Sequence, residues 1–273
     1  MLVYFIQSYY RKNMNEPLKV LVASPGYDGR FDVRFLESIT ATIFLASQHN
    51  IQVVPVYLCF DSLVQRVRNN YFRIAYNNNF DVLFFIDNDI GWNPEDFVKL
   101  VLSDKDMIGG GYRKKHDDEE LYAFKVNGDS EETFEIVPDQ EGILEVSGLG
   151  CGFLKLSKTC FTQLFETEEK YYIDSGNLIT KMVCDCVVND QNHFVSEDIV
   201  LGFKWKNLGG KVYVDTNIEL EHVGNKRYTG NVKTWLSNWK QKFDNDKQSK
   251  TIYNNNLSNY IQPVDIGNEF KVL

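Results

Sequence analysis

The sequence has no apolar run of about 18 residues, the length that a membrane-spanning helix needs, and it has only five cysteines. An odd number of cysteines, spread over 273 residues, argues against a disulfide framework and favours a reducing compartment. The apolar start Met1–Ile6 is shorter than the core of a secretory signal peptide. We therefore expect a soluble, cytoplasmic protein without a transmembrane segment.

Basic residues are also in short supply. The chain has 29 Lys and Arg against 38 Asp and Glu, which gives a formal charge of -9. This balance argues against nucleic acid or an anionic membrane as a partner, because both are extended polyanions. It does not exclude a small anionic ligand, since a bound divalent cation can reverse the local field. The length predicts one large domain or a domain with an appendage.

The first 110 residues alternate between two kinds of segment. Short apolar runs predict strands at Lys19–Ser24, Ile51–Leu58, Val82–Ile86 and Met107–Gly110. Between them, helices are predicted at Val33–Ser47, at Ser62–Tyr76 and from Pro94 onward. This alternation is typical of an α/β fold with a mostly parallel central sheet flanked by helices.

The pattern changes after residue 110. The acidic segment Asp117–Glu145 suits edge strands, and the glycine-rich Val146–Leu156 is typical of a strand. A helix with a serine cap is predicted at Ser196–Leu208, and the last strands at Lys211–Val214 and Ile218–Glu221.

The end of the chain carries aromatic residues at helical spacing. Trp235, Trp239 and Phe243 fall on one face of a helix, which favours packing against the domain over a membrane anchor. We therefore expect an extension at 1–18, a main domain at 19–230, and a helix with a polar tail at 231–273.

Two carboxylates follow a strand that is apolar throughout. Alternation along the strand would direct Asp87 and Asp89 to the same side, at the carboxyl edge where open α/β sheets bind ligands. Hard oxygen ligands there suit Mg²⁺ or Mn²⁺ shared with substrate phosphates, and His222 is a reasonable third ligand. The alternative is an ordinary solvated Asp-Asn-Asp turn or a helix cap.

Other candidates also have two interpretations. Arg66 suits phosphate recognition, whereas Arg68 is equally compatible with a solvated basic helix face. The glycines of Ser147–Gly152 allow a ligand close to the backbone or mark a bulge. Glu197 and Asp198 are favoured in a first helical turn by the helix dipole, and a general base there is the functional interpretation.

Several segments together resemble nucleotide-sugar glycosyltransferases of the GT-A fold, especially phage, viral and bacterial members. The match runs from Lys19 to about Gly230, with the motifs in the same order: Val22–Arg30, Asp61–Asn69, Phe85–Asp96 with its DxD motif, Ser196–Asp198, Trp205–Gly210 and Glu221–Gly224. Asp61–Asn69 is also similar to the Anp1-type mannosyltransferases. The resemblance implies a small antiparallel sheet on the acceptor side, and it leaves room for a virus-encoded enzyme that acts in a host cell.

The resemblance also implies roles for individual residues. Asp89 and His222 would bind Mn²⁺ or Mg²⁺, with Asp87 at the metal or the ribose. Asp198, next to Glu197, corresponds to the catalytic base of inverting members. The residues that would contact a UDP- or GDP-linked donor are Pro25, Tyr27, Asp28, Asp61, Arg66, Asp87, Asn88, Gly150, Cys151 and Gly152.

The function predicted on this basis is metal-dependent transfer of one sugar to a glycan or another hydroxyl acceptor. The metal would stabilise the negative charge that develops on the departing nucleoside diphosphate. Three alternatives remain: a retaining glycosyltransferase, as in the Anp1-type enzymes, a sugar-phosphate nucleotidyltransferase, and a non-catalytic module that binds sugar or Ca²⁺. The loop Gly26–Arg30 is a poor match for the basic glycine-rich loop of a nucleotidyltransferase.

Overall fold

A computed structural model describes residues 16–126, 137–173 and 178–246. The helices in these ranges are α1 (Val33–Gln48), α2 (Val64–Asn77), α3 (Pro94–Leu102), α4 (Lys158–Thr167), α5 (Glu197–Asn207) and α6 (Val232–Asp246). The strands are β1 (Leu18–Gly26), β2 (Ile51–Cys59), β3 (Val82–Ile86), β4 (Ile90–Gly91), β5 (Met107–Gly110), β6 (Phe124–Val126), β7 (Ile143–Leu149), β8 (Phe153–Ser157), β9 (Lys170–Ile173), β10 (Leu178–Lys181), β11 (Val187–Val188), β12 (Phe194–Val195), β13 (Val212–Asp215), β14 (Glu221–Val223) and β15 (Arg227–Tyr228).

The central sheet has eight strands in the order β2-β1-β3-β8-β5-β13-β7-β6. Six of them run in one direction, and β8 and β7 run in the other, so the sheet is mixed. The four strands predicted in the first 110 residues all share the main direction, as expected from alternating strands and helices. A separate three-stranded antiparallel sheet, β15-β14-β4, carries the residues that follow β3 and β13.

Helices cover both faces of the central sheet. Because side chains alternate along a strand, Val22 packs with Phe35 of α1 on one face, and Ala23 packs with Tyr71 of α2 on the other. Continuous apolar runs such as β3 are therefore buried on both sides.

Several predicted elements have different bounds. The strand predicted at Val146–Leu156 is two strands, β7 and β8, which are separated in the sheet by β5 and β13. The strand predicted at Ile218–Glu221 is instead β14, Glu221–Val223. The helix predicted from Ser62 begins at Val64, because Asp61 uses its carboxylate to accept from the Leu63 N–H and from Arg66 rather than to cap a helix.

The final helix packs against the domain. Val232 and Leu236 are buried in the core, and the Trp235 ring lies 5.4 Å from that of Tyr122 and 6.1 Å from that of Phe124. Packing is therefore confirmed for Trp235, whereas the Phe243 side chain lies outside the described part. None of the helices in the described ranges combines the length and apolar composition needed to cross a bilayer. The domain boundaries at residues 18 and 230 stay predictions.

Candidate functional site

The carboxyl edge of the central sheet brings together the loops that follow β1, β2 and β3. Asn88, just after β3, donates from its side-chain amide to the Arg30 carbonyl at 2.6 Å, and its own carbonyl accepts from the Asp32 N–H at 2.9 Å. The Asp87 N–H donates to the Gly152 carbonyl at 3.1 Å. The predicted residues Asp87, Asn88 and Gly152 are therefore neighbours.

Asp87 and Asp89 lie in a turn rather than on a strand. β3 ends at Ile86, and the Asp87 carbonyl accepts from the Ile90 N–H at 3.2 Å. Strand alternation therefore does not orient this pair, contrary to the sequence-based argument. The two carboxylates have separate partners, because Asp87 pairs with a buried arginine and Asp89 with a lysine and a histidine.

Arg68 bridges two carboxylates from distant parts of the chain. Its side chain is only 5% exposed, and its two terminal nitrogens contact Asp87, at 3.1 Å, and Glu197 at the start of α5. The solvated helix face considered for Arg68 is therefore wrong. Burial raises the pKa of Asp87, and the Arg68 guanidinium opposes that shift only in part.

Asp89 is the centre of a second charged group. The Lys115 Nζ lies 2.5 Å from Asp89 Oδ2, and the His222 Nε2 lies 3.7 Å from the same oxygen. Burial raises the pKa of Asp89, but its contacts with His222 and Lys115 outweigh burial and leave that pKa below its usual range. Lys115 has no motif that could have identified it in the sequence.

The orientation of His222 suits a metal ligand. Its Nδ1 lies 2.8 Å from the Arg113 carbonyl oxygen, which can only accept, so Nδ1 is the donor. A ring protonated at Nε2 donates toward Asp89 and lowers the pKa of Asp89, whereas a neutral ring has its Nε2 lone pair available to a cation beside Asp89. Metal-bound histidines commonly have their other nitrogen held by a carbonyl in this way. The residues present therefore fit a divalent cation.

Asp89 and His222 supply only part of a metal coordination shell. Within the ranges that the structure describes, no group of three or more His, Cys, Asp or Glu side chains is arranged to hold a metal ion. An ion on this pair would take its remaining ligands from water and substrate phosphates, as Mg²⁺ sites often do.

The start of α5 lies next to the Arg68 bridge. Glu197 is nearly buried and has both oxygens engaged, one by Arg68 and one by the Cys186 Sγ at 3.9 Å. Asp198 is half-buried and accepts from the Ser196 hydroxyl and, at 2.8 Å, from the Ile199 N–H. The Ser196 side chain therefore does not cap the helix as predicted. Of the two predicted catalytic carboxylates, only Glu197 forms an ion pair within the described ranges.

The predicted nucleotide-binding residues line the loops after β1 and β2. Pro25 is the penultimate residue of β1, Tyr27 is 69% exposed, and Asp28 pairs with Arg30 at 3.5 Å. Phe60 was missed by the sequence analysis. Its N–H donates to the Tyr27 carbonyl at 3.0 Å, and its ring is 81% exposed beside the turn after β1.

Asp61 and Arg66 form a bidentate pair, with two nitrogen–oxygen distances of 2.7 Å. The Arg66 guanidinium, hydrogen-bonded to the carboxylate, holds the pKa of Asp61 below its usual range. The Arg66 side chain remains 43% exposed at the same edge of the sheet.

The turn Gly150–Gly152 packs tightly against Tyr112. A Cβ at Gly150 would overlap the Tyr112 hydroxyl, and one at Gly152 would lie 2.6 Å from the ring. Cys151 is fully buried, and burial raises the pKa of its thiol well above the usual range, which argues against a nucleophile. The turn can meet a ligand through its backbone only.

A cavity of about 750 Å³ lies beside this site and is lined by none of Asp89, Asp198 or His222. Asp96 lines it, and burial together with the nearby Asp215 raises the pKa of Asp96 to about 6, from 3.8. The folded protein therefore binds this proton more tightly than the unfolded chain, and its stability falls as the pH rises from about 4 to 6.

Asp96→Asn is expected to raise the free energy of unfolding at pH 7 by about 1 kcal/mol, after allowance for solvent screening. The gain disappears at pH 4, where the wild-type carboxyl is protonated. Urea denaturation at both pH values measures this, with Asp104→Asn, the same change at a position that is 85% exposed, as the control. A gain of equal size at both pH values would contradict the assignment.

Comparisons with known proteins give likenesses of shape alone. No family model and no curated protein matches the chain. The crystal structure of A197 from STIV is 15% identical, with a TM-score of 0.48 over 79% of this chain and 90% of that one. The crystal structure of a glycosyltransferase involved in the glycosylation of the major capsid of PBCV-1 is 10% identical, with a TM-score of 0.28 over 54% of this chain and 63% of that one. At these values neither likeness bears on what the chain binds.

Proposed function

We propose that the protein is a metal-dependent glycosyltransferase of the GT-A type, which moves one sugar from a UDP- or GDP-linked donor to a hydroxyl acceptor. The observation that carries the proposal is the convergence of Asp89 and the Nε2 of His222 at the carboxyl edge of the sheet. Asp198, a half-buried carboxylate in the first turn of α5, follows Glu197, which Arg68 links to Asp87, and it would supply a base.

Mn²⁺ or Mg²⁺, bound by Asp89 and His222, would neutralise the donor diphosphate and stabilise charge on the departing oxygen. Asp87 is held by Arg68 and has a second oxygen for the metal or the ribose. The exposed rings of Tyr27 and Phe60 offer the nucleobase an apolar surface.

Asp198 would take the proton of the acceptor hydroxyl as that oxygen attacks the anomeric carbon. Its first-turn position favours a negative charge, and the Ser196 hydroxyl orients it. Glu197 would act indirectly, since Arg68 holds it. The buried Gly150–Gly152 turn would act on the sugars through Asp87, because the Gly152 carbonyl accepts from the Asp87 N–H. We infer a glycan or another hydroxyl compound as the acceptor.

The experiment is a panel of UDP- and GDP-sugars incubated with the purified protein and Mn²⁺, with nucleoside diphosphate release as the measurement. One donor is expected to be hydrolysed slowly, and EDTA is expected to abolish this activity. If no donor is hydrolysed and none shifts the melting temperature, the proposal is wrong.

Asp89→Ala is expected to lower the affinity for Mn²⁺ by at least about 100-fold and to abolish release of the diphosphate. The matched control is Asp104→Ala, which removes a carboxylate that is 85% exposed and lies before β5, away from the site. Equal activity in the two variants would exclude Asp89 as a metal ligand.

A further inference from the structure

Lys115 contacts the oxygen of Asp89 that a metal would use. Its Nζ is 2.5 Å from Asp89 Oδ2, and the same oxygen faces His222 Nε2 at 3.7 Å. An ammonium group is therefore located where Asp89 and His222 would hold a divalent cation.

The backbone around Lys115 is held by hydrogen bonds. The Arg113 carbonyl accepts from His222 at 2.8 Å, and the Lys114 N–H donates to the Leu121 carbonyl at 2.7 Å. The Lys115 stem lies against Gly224, where an added Cβ would be 3.1 Å from its Cδ. These contacts hold the backbone and the lower part of the stem, so the ammonium can leave Asp89 only by rotation about the terminal bonds of the side chain, which is 35% exposed.

An ammonium and a divalent cation cannot share one carboxylate oxygen at these distances, because their charges repel. The metal must therefore displace Lys115. In the loaded site the new anion within reach of the displaced ammonium is the diphosphate that the metal brings with it.

We propose that Lys115 competes with the metal at Asp89 and, once displaced, contacts the diphosphate of the donor. This rests on the proposed function. The metal alone then binds weakly, because displacement of Lys115 from Asp89 costs free energy. When the nucleotide is also bound, the contact of Lys115 with the diphosphate offsets this cost, so binding of the metal and binding of the nucleotide are coupled.

The test measures free Mn²⁺ by electron paramagnetic resonance in titrations of the full chain. The variants are Lys115→Gln, Lys115→Arg and the control Lys114→Gln, which removes the same charge from the neighbouring exposed residue. Lys115→Gln is expected to bind Mn²⁺ alone about tenfold more tightly than wild type. The Mn²⁺ affinities of the control and of Lys115→Arg are expected to stay within about twofold of the wild-type affinity.

The second titration adds UDP or GDP to the Mn²⁺-loaded protein. Lys115→Gln is expected to bind the nucleotide about tenfold more weakly than Lys114→Gln does. If wild type binds Mn²⁺ and nucleotide but the two glutamine variants behave alike, the role of Lys115 is overturned and the proposed function stands. If none of the proteins binds Mn²⁺, with or without nucleotide, both are overturned.

Discussion

Replacing Arg68 with methionine is expected to lower the free energy of unfolding by about 3–5 kcal/mol at neutral pH. The side chain is 5% exposed and is the bridge between Asp87 and Glu197, so its removal leaves two carboxylates in a buried site without a counter-charge. Methionine keeps the volume and the helix propensity of the position, which separates the charge from the packing. Urea denaturation of the purified variant measures the loss.

The control for this variant is Arg73→Met on the same helix. Arg73 is partly exposed and donates to Asn70 at 3.0 Å, so its loss is expected to cost less than about 0.5 kcal/mol. The pH dependence adds a second check. Without Arg68 the pKa of Asp87 rises further, so the deficit is largest at high pH and shrinks as acid protonates the buried carboxyl. A loss equal to that of the control would show that Arg68 is not a structural bridge.

Asp198→Asn is expected to lower the rate of sugar transfer by about 100- to 10,000-fold with little change in donor affinity. Asparagine can still accept from the Ser196 hydroxyl and the Ile199 N–H, so the start of α5 is maintained while the base is lost. Single-turnover transfer and donor binding are measured separately.

Asp104→Asn is the matched control for the Asp198 variant, because it makes the same chemical change at an exposed position. Donor affinity that falls as much as the rate would place Asp198 in donor binding rather than in proton transfer. Unchanged transfer by Asp198→Asn would favour a retaining mechanism over an inverting one.

The first half of the fold could be predicted from the sequence because its strands are continuous apolar runs. β1, β2, β3 and β5 differ from the predictions by a few residues at most. β1, β3 and β5 are largely buried, and a strand covered on both faces has little choice of composition. The edge strand β2 is only partly buried, and its valine-rich sequence identified it. The later strands were less predictable. β7 and β8 form one glycine-rich apolar stretch in the sequence, and a tight turn against Tyr112 separates them.

The charged pairs of the site could be predicted only in part. The sequence pointed to Asp87, Asp89, Asp198 and His222, because carboxylates and imidazoles at strand and helix ends are unusual enough to notice. Arg68 and Glu197 are 129 residues apart, and no local pattern distinguishes a buried arginine on a basic helix from an exposed one.

Phe60 could not be predicted from the sequence for a different reason. Its exposed ring depends on a positive φ of 66° at the end of β2, which its residue type does not indicate. The contact of Lys115 with Asp89 likewise depends on the path of the segment after β5, which brings Lys115 next to the turn after β3.

The most direct test of the account is the position of the metal. A crystal grown with Mn²⁺ and either UDP or GDP, measured at the manganese absorption edge, locates the ion through its anomalous signal. We predict one peak that contacts both Asp89 Oδ2 and His222 Nε2, with the diphosphate completing its coordination. Bound nucleotide without a peak at this pair, or a peak in the acidic cavity lined by Asp96, would contradict the account.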